Sequence, residues 1–255
     1  MTGRVTVVGL GPGPDEWRTP AVTALLGTAT DLVGYGPYLD RVSRTAPGRR
    51  HRSGNRVEAD RAELALDLGA AGGDVVVISS GDPGVFAMAS AVLEQLELHP
   101  DRWRDVAVEV QPGITAALAA ASRVGAPLGH DFCVISLSDV RKPWSIIERR
   151  LAAAAAADFV IALYNTRSRH RPDQLASALG VIAQRRLPGT PVVVARRVGS
   201  PDETVDVVTL ESVDTGAVDM STVVLIGSSQ TRVLDRPLAA SVYTPRTYVE
   251  PSAPA

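Results

Sequence analysis

Gly9, Gly11 and Gly13 stand in VTVVGLGPGP, Val5 to Pro14, where an apolar run breaks into a glycine cluster. A strand and turn of this shape can cradle a phosphate on backbone N–H groups. A dinucleotide fingerprint needs G-x-G-x-x-G, the third glycine allowing close helix–strand packing. Here the spacing is G-x-G-x-G, Pro14 fills the third slot, and Pro12 removes a backbone donor that a pyrophosphate would use. The second strand, which should end in an acid that holds a ribose, ends in Gly34-Tyr35-Gly36. These residues argue against a Rossmann-type oxidoreductase. They leave open a tight structural turn with no ligand, since glycine and proline mark turns generally.

Two further loops sharpen the choice. VVVISSGDPGVFAMA puts Gly81-Asp82-Pro83-Gly84 at the carboxyl end of a buried strand, where ligands of open α/β sheets sit. The same residues also make sound helix chemistry without a ligand, with Asp82 as N-cap and Pro83 at the first helical position. VQPGITAAL follows another strand, and its Gly113, Thr115 and Ala116 would let a bulky group approach the backbone. None of the three loops carries a Walker lysine or a magnesium ligand set, which favours a cofactor without a polyphosphate. His51, His99 and His170 show no metal-ligand spacing. Cys133, the only cysteine, lies in an apolar strand-like run and reads as a buried, inert thiol.

The elements that must position these loops alternate. Strand signals occur at RVTVVGL, TDLVGY, DVVVISS and DVAVEV. Helix patterns run from Thr19-Pro20 to about Thr28, from about Arg56 to Ala71, through GVFAMASAVLEQL, and from GITAALAAA. That grammar predicts a mostly parallel sheet with helices on both faces. SRVGAPLGHD, Ser122 to Asp131, reads as the junction. FCVISL, a helix from Pro143 to Ala157, FVIALY, a helix from about Pro172 to Gln184, TPVVVARRV, ETVDVVTL and STVVLIG then predict a second α/β unit with some antiparallel pairing. The expected organisation is an N-terminal domain over 1–124, a C-terminal domain over 125–248, and a disordered tail over 249–255.

Composition sets the outer limits. The chain has 255 residues, 45% of them apolar and 21% charged, so it can bury a core. A net charge of −2 argues against general nucleic-acid binding. Lys142 is the only lysine, so nearly every cation is a rigid guanidinium fork suited to carboxylates. No apolar stretch has the length of a membrane span and no signal-peptide layout opens the chain, so a soluble cytoplasmic protein is expected.

VVGLGPG, SSGDPGVFAMA, QPGITAA and VVLIGSS together resemble the tetrapyrrole methylases, two-domain S-adenosylmethionine enzymes of corrin and sirohaem synthesis. GYGPYLDRV, LGHDFCVISLSD followed by PWSIIERRL, and ALYNTRSRHRPDQL resemble the ring-contracting members, the precorrin-3B C-17 methyltransferases. The similarity runs from about Gly3 to Tyr248. Two departures, the order Pro14-Asp15 in PGPDEW and Thr247 in place of a common glycine, fall in expected loops.

The resemblance implies two α/β domains with the active site in the cleft between them. It also implies C-17 methylation of precorrin-3B with ring contraction to precorrin-4. A sibling methylase acting on another carbon or on a cobalt-precorrin is the alternative. The methyl donor would be held by Pro12, Gly81, Asp82, Val85, Thr115 and Ala116, and by Tyr164, Asn165, Arg197 and Thr222. The acceptor would be an anionic tetrapyrrole. For it the sequence offers Arg41, Arg44, Arg49, Arg50, Arg52 and Arg56 in one run, and Arg167, Arg169 and Arg171 in another. Arg52, Arg167 and Arg169 are the expected substrate residues, with a solvated basic face as the competing reading of the first run. Ring contraction needs a proton taken from a substrate hydroxyl. Tyr35 and Tyr38 are the expected catalytic residues, from a candidate set that includes His130, Asp131 and Asp139. His130 itself reads better as a junction or capping histidine. No metal site is expected, and homodimerisation is implied.

Overall fold

The computed structural model describes residues 3–55, 57–234 and 241–248. Arg56 and the tail over 249–255, both named above, lie outside the described residues.

The chain divides into two compact units, residues 1–115 and 116–255. The division into compact units falls at the start of the helix α5 (Ala116–Val124). The reason lies in the alanines. Ala117, Ala119, Ala120 and Ala121 are buried, and α5 packs on the sheet of the second unit.

The first unit holds β1 (Arg4–Gly9), β2 (Asp31–Tyr35), β3 (Arg49–Ser53), β4 (Asp74–Ser79) and β5 (Ala107–Gln111), all parallel, in the order β3-β2-β4-β1-β5. Side chains alternate between the two faces. Val5, Val7, Val75 and Val77 pack against α3 (Glu58–Ala70) and α4 (Met88–Leu98). Val8, Leu10, Val76 and Ile78 pack against α1 (Pro20–Thr28) and the short α2 (Gly36–Leu39). Buried on both faces, the central strands read as continuous apolar runs. The start of α1 follows the sequence expectation, with Thr19 Oγ1 accepting from the Val22 N–H at 3.3 Å and Pro20 at the first position.

The strand β3 was not foreseen, because RRHRS carries no apolar alternation. Its charges suit a sheet edge, and His51 and Arg49 both bond the buried carboxylate of Asp31, at 2.7 and 3.2 Å. Burial alone would raise the Asp31 pKa, but the hydrogen bonds from His51, Thr30 and Arg49 outweigh it and hold the carboxyl below its ordinary value.

In the second unit β7 (Phe132–Ser136), β8 (Val160–Tyr164), β9 (Pro191–Arg196), β10 (Thr204–Thr209) and β11 (Thr222–Ile226) form a sheet in the order β10-β9-β11-β8-β7. Only β7 and β8 pair in parallel; the other pairings are antiparallel, as the strand spacing predicts. One face carries α6 (Trp144–Ala156) and α7 (Gln174–Ala183), whose Ile147, Leu151, Leu175 and Ile182 are fully buried. A small sheet of β6 (Gly125–Ala126), β12 (Arg232–Leu234) and β13 (Ser241–Tyr243) completes this unit. No helix among the described residues is long and apolar enough to cross a membrane.

Candidate functional site

In the first sheet β1 and β4 are neighbours, and their connections leave in opposite directions, β1 toward β2 and β4 toward β5. That is a topological switch point, the place where open α/β sheets bind ligands. The loops after β1, β4 and β5 meet there, and backbone contact holds them together. Gly11 and Gly81 exchange two N–H···O bonds of 3.1 Å, both residues at positive φ. A Cβ on Gly9 would lie 2.4 Å from the Gly81 carbonyl oxygen, and one on Gly113 would lie 2.2 Å from the same atom. The glycines are therefore required by the approach of one loop to another, and not only by the approach of a ligand.

Asp82 has a different role from helix capping. The helix α4 begins at Met88, six residues on, so Asp82 is not its N-cap and Pro83 is not its first residue. The Asp82 carboxylate accepts from the Gly84 N–H at 2.8 Å and from the Gly113 N–H at 3.1 Å. One side chain thus folds its own turn and ties the second loop to the third. Ser79 Oγ accepts from the Met88 N–H at 3.3 Å, which supplies the helix start instead.

Arg41 performs the same service for the opening loop. Its Nη2 donates to the carbonyls of Gly11 at 2.9 Å and Gly13 at 3.2 Å, and its Nη1 to Ser80 Oγ at 3.1 Å. Neither this role nor that of Phe86 was visible in the sequence. Phe86 has φ 53° and a half-exposed ring just beyond the GDPGV stretch. A bulky residue at positive φ marks local strain, which concentrates at ligand sites.

Of the residues the resemblance assigns to the donor, Pro12, Gly81, Asp82, Val85 and Thr115 lie in these loops. Thr115 Cα would be 3.7 Å from a Gly81 Cβ. Ala116 opens α5 and belongs to the second unit. Tyr164, Asn165, Arg197 and Thr222 share one end of the second sheet, because β11 runs antiparallel to both β8 and β9 and Thr222 pairs with Arg196. Tyr164 Oη accepts from the Ala117 N–H at 2.7 Å, and Asn165 Nδ2 donates to Ser136 Oγ at 2.9 Å. Asn165 and Arg197 both sit at positive φ, 54° and 49°. Arg197 pairs with Asp202.

Tyr35 and Tyr38 meet edge to face, ring centroids 5.2 Å apart. Burial, with Tyr35 beside it, pushes the Tyr38 pKa up, so this phenol holds its proton and can donate a hydrogen bond. His130 lies 3.7 Å from Asp131 and beside the Tyr248 ring. The Cys133 thiol is pushed up to about 11 by burial, in keeping with an inert thiol.

The first arginine run is largely absorbed by the protein itself. Arg50 donates to the carbonyls of Leu39, Val42 and Ser43, and Arg52 makes a two-pronged pair with Asp40 at 2.6 and 3.0 Å. In the second run Arg167 donates to the carbonyls of Thr215 and Gly216, and Arg169 is exposed.

The family model described as Tetrapyrrole (Corrin/Porphyrin) Methylases matches residues 4–214. The chain belongs to this family. It is thus a tetrapyrrole methyltransferase by descent. A precorrin-3B C(17)-methyltransferase of Sinorhizobium sp is 48% identical over 249 residues, which cover 97% of this chain and 98% of that one. The crystal structure of the methyltransferase CobJ aligns with a TM-score of 0.91 at 50% identity, over 96% of this chain and 100% of that one. A uroporphyrin-III C-methyltransferase from Thermus thermophilus, solved with S-adenosyl homocysteine, aligns with a TM-score of 0.68 at 27% identity, over 88% and 97% of the two chains. These likenesses agree with the α/β architecture of both units, a parallel sheet in the first and a mixed sheet in the second.

Proposed function

We propose that the protein transfers a methyl group from S-adenosylmethionine to C-17 of precorrin-3B as the macrocycle contracts to precorrin-4, a step of cobalamin synthesis. The observation that carries this reading is the Sinorhizobium relative, nearly half identical and matched over almost its whole length. The residues present fit such a donor. The stitched loops carry no lysine, histidine or cysteine that would compete as a nucleophile; of their acids, Asp82 holds backbone N–H groups and Asp15 pairs with Arg18.

S-adenosylmethionine supplies an electrophilic methyl on a sulfonium whose leaving thioether is neutral. The protein's task is to fix the donor and align the acceptor carbon, and positioning of this kind lowers a barrier by roughly 7–11 kcal/mol. Gly81, Val85 and Thr115 form the rigid floor for that task, held by the Gly11–Gly81 bridge and by Asp82. Pro12 is held with its loop by Arg41. From the second unit, Tyr164, Asn165, Arg197 and Thr222 would add donor contacts, with Ala116 at the start of α5. Tyr38, whose phenol holds its proton, suits a hydrogen bond to the acceptor, with Tyr35 against its ring. The assembly is taken to be a homodimer.

The test is incubation with precorrin-3B and donor labelled with ¹³C at the methyl, followed by NMR of the product. A new methyl at C-17 of a contracted ring is expected. A methyl at another carbon, or turnover of the cobalt-bearing macrocycle alone, replaces this reading with that of a sibling methylase.

A further inference from the structure

The helix α3 lays an arginine over the carboxyl ends of β2 and β3. Ser53 ends β3 and pairs in register with Tyr35, which ends β2. Val33, two residues before Tyr35 and so on the same face, packs against α3. There Arg61 Nε donates to Ser53 Oγ at 2.8 Å, and its Nη2 to the Gly54 carbonyl at 2.7 Å. Ser53 Oγ donates in turn to the carbonyl of Gly34, the residue before Tyr35, at 3.3 Å. Arg61 Nη1 reaches the start of α4 and meets the Met88 thioether at 3.2 Å. The guanidinium is buried, with 6% of the residue exposed, and the acceptors it bonds are all neutral: a hydroxyl, a carbonyl and a sulfur. Among the described residues Arg61 makes no ion pair; Glu58 is the carboxylate that bears on it, from beyond contact.

A thioether is a weak acceptor, and taking an unpaired charge out of water is costly. That cost points to a use for the charge close by, and what stands close by is the tyrosine pair. The hydroxyls of Tyr35 and Tyr38 have no hydrogen-bond partner among the described residues, and neither is sealed from solvent. Arg61 and Arg41 both bear on the Tyr38 phenol and oppose the rise that burial and Tyr35 impose on it. Arg41 is spent on the carbonyls of the opening loop. We infer that Arg61, which lies outside both arginine runs, is a positioning residue for the acceptor: it fixes the tip of β3 against Tyr35 and keeps an uncompensated positive charge beside two unpartnered phenol hydroxyls, so that this end of the first sheet takes an acidic group of the tetrapyrrole. A carboxylate would accept from Tyr38 Oη, and the buried cation favours its negative charge in surroundings of low dielectric. The inference rests on the methylase reading above.

Uroporphyrin III, a macrocycle whose side arms are carboxylates, is the probe, with its fluorescence as the readout. Calorimetry with S-adenosylhomocysteine on the same samples reports the donor site separately. Tyr38→Phe is expected to weaken uroporphyrin binding by about tenfold, the scale of one hydrogen bond to a charged group. Arg61→Gln, which removes the charge, is expected to do the same, and Arg61→Lys, which keeps it, should stay within about threefold of wild type. The double variant Arg61→Gln/Tyr38→Phe should bind no more weakly than Tyr38→Phe alone, because the two residues act as one unit. The ultraviolet titration of the phenols gives a readout that a purely structural role would not move. The step missing in Tyr38→Phe should rise in pH in Arg61→Gln and stay in place in Arg61→Lys. Wild-type uroporphyrin affinity in folded Arg61→Gln, or losses that multiply in the double variant, overturns the inference; the methylase reading stands if the donor analogue still binds. If Arg61→Gln fails to fold, Tyr38→Phe and Arg61→Lys decide, and wild-type affinity in Tyr38→Phe overturns the inference. Wild-type protein that binds the donor analogue but not uroporphyrin III overturns the inference alone, and protein that binds neither overturns both.

Discussion

In the first unit Arg41, Arg49, Arg50 and Arg52 each end on an oxygen of the protein itself, whether a loop carbonyl, Ser80, Asp31 or Asp40. In the second, Arg171 keeps a buried Nη1 with no acceptor among the described residues. The two segments look alike as text, arginine-rich runs following a strand. One is scaffolding, whose cations draw loops together by bonding carbonyls and carboxylates of the chain itself. The other is divided, with Arg167 on the carbonyls of Thr215 and Gly216 and Arg169 exposed. Arginine content therefore says little about where an anion binds.

The strongest way to break this contrast is to attack the scaffold where it is tightest. Gly113→Ala would put a methyl 2.2 Å from the Gly81 carbonyl oxygen and 2.8 Å from that of Gly9, both backbone atoms with little room to yield. A loss of about 3 kcal/mol or more is expected in urea unfolding, at the upper end for overpacking. Donor-analogue binding should vanish in calorimetry, because all three loops shift together. If the variant kept near-normal affinity, the loops would not form one rigid unit.

Arg41→Ala is a milder blow to the same scaffold. It removes one donor each from the Gly11 and Gly13 carbonyls and Ser80 Oγ, while Gly11 keeps its bond from the Gly81 N–H. About 2–3 kcal/mol should be lost, as for hydrogen bonds to a charged donor. S-adenosylhomocysteine should bind about tenfold more weakly, the equivalent of some 1.4 kcal/mol. Unchanged stability with lost binding of uroporphyrin III, a carboxylate-fringed tetrapyrrole, would mean that Arg41 serves the acceptor, and the scaffold reading of the first run would be wrong.

The sequence shows the strands of the first sheet and the loops at their tips because buried parallel strands are continuous apolar runs and glycine clusters end them. It hides what side chains do across distance. Asp82-Pro83 has the local form of a helix start, yet α4 waits until Met88, since the Asp82 carboxylate is drawn off by the Gly113 N–H far along the chain. The strand β3 is hidden because its stability comes from partners such as Asp31, not from its own apolar pattern. The α5 boundary is hidden because an alanine-rich helix reads the same whichever sheet it covers. Tyr164, Asn165, Arg197 and Thr222 could be named one by one; that they share one end of a sheet follows only from its antiparallel register.

The gentlest test sharpens the contrast at its one soft point, the pair Arg52–Asp40. Both side chains are more than half exposed, so this pair is the member of the first run most able to exchange its partner for a ligand. The paired form holds the Asp40 carboxyl below its ordinary pKa, chiefly through the Arg52 hydrogen bond. Asp40→Asn removes that charge and releases the fork, while leaving the loops untouched. An exposed pair contributes little to stability, so the thermal midpoint should stay within about 1 °C. If the first run is scaffold alone, uroporphyrin affinity should also stay within about twofold, the scale of a rim charge screened by solvent. A gain of tenfold would mean the released Arg52 finds a carboxylate of the macrocycle. Asp40 would then be the carboxylate that occupies its fork until the acceptor arrives.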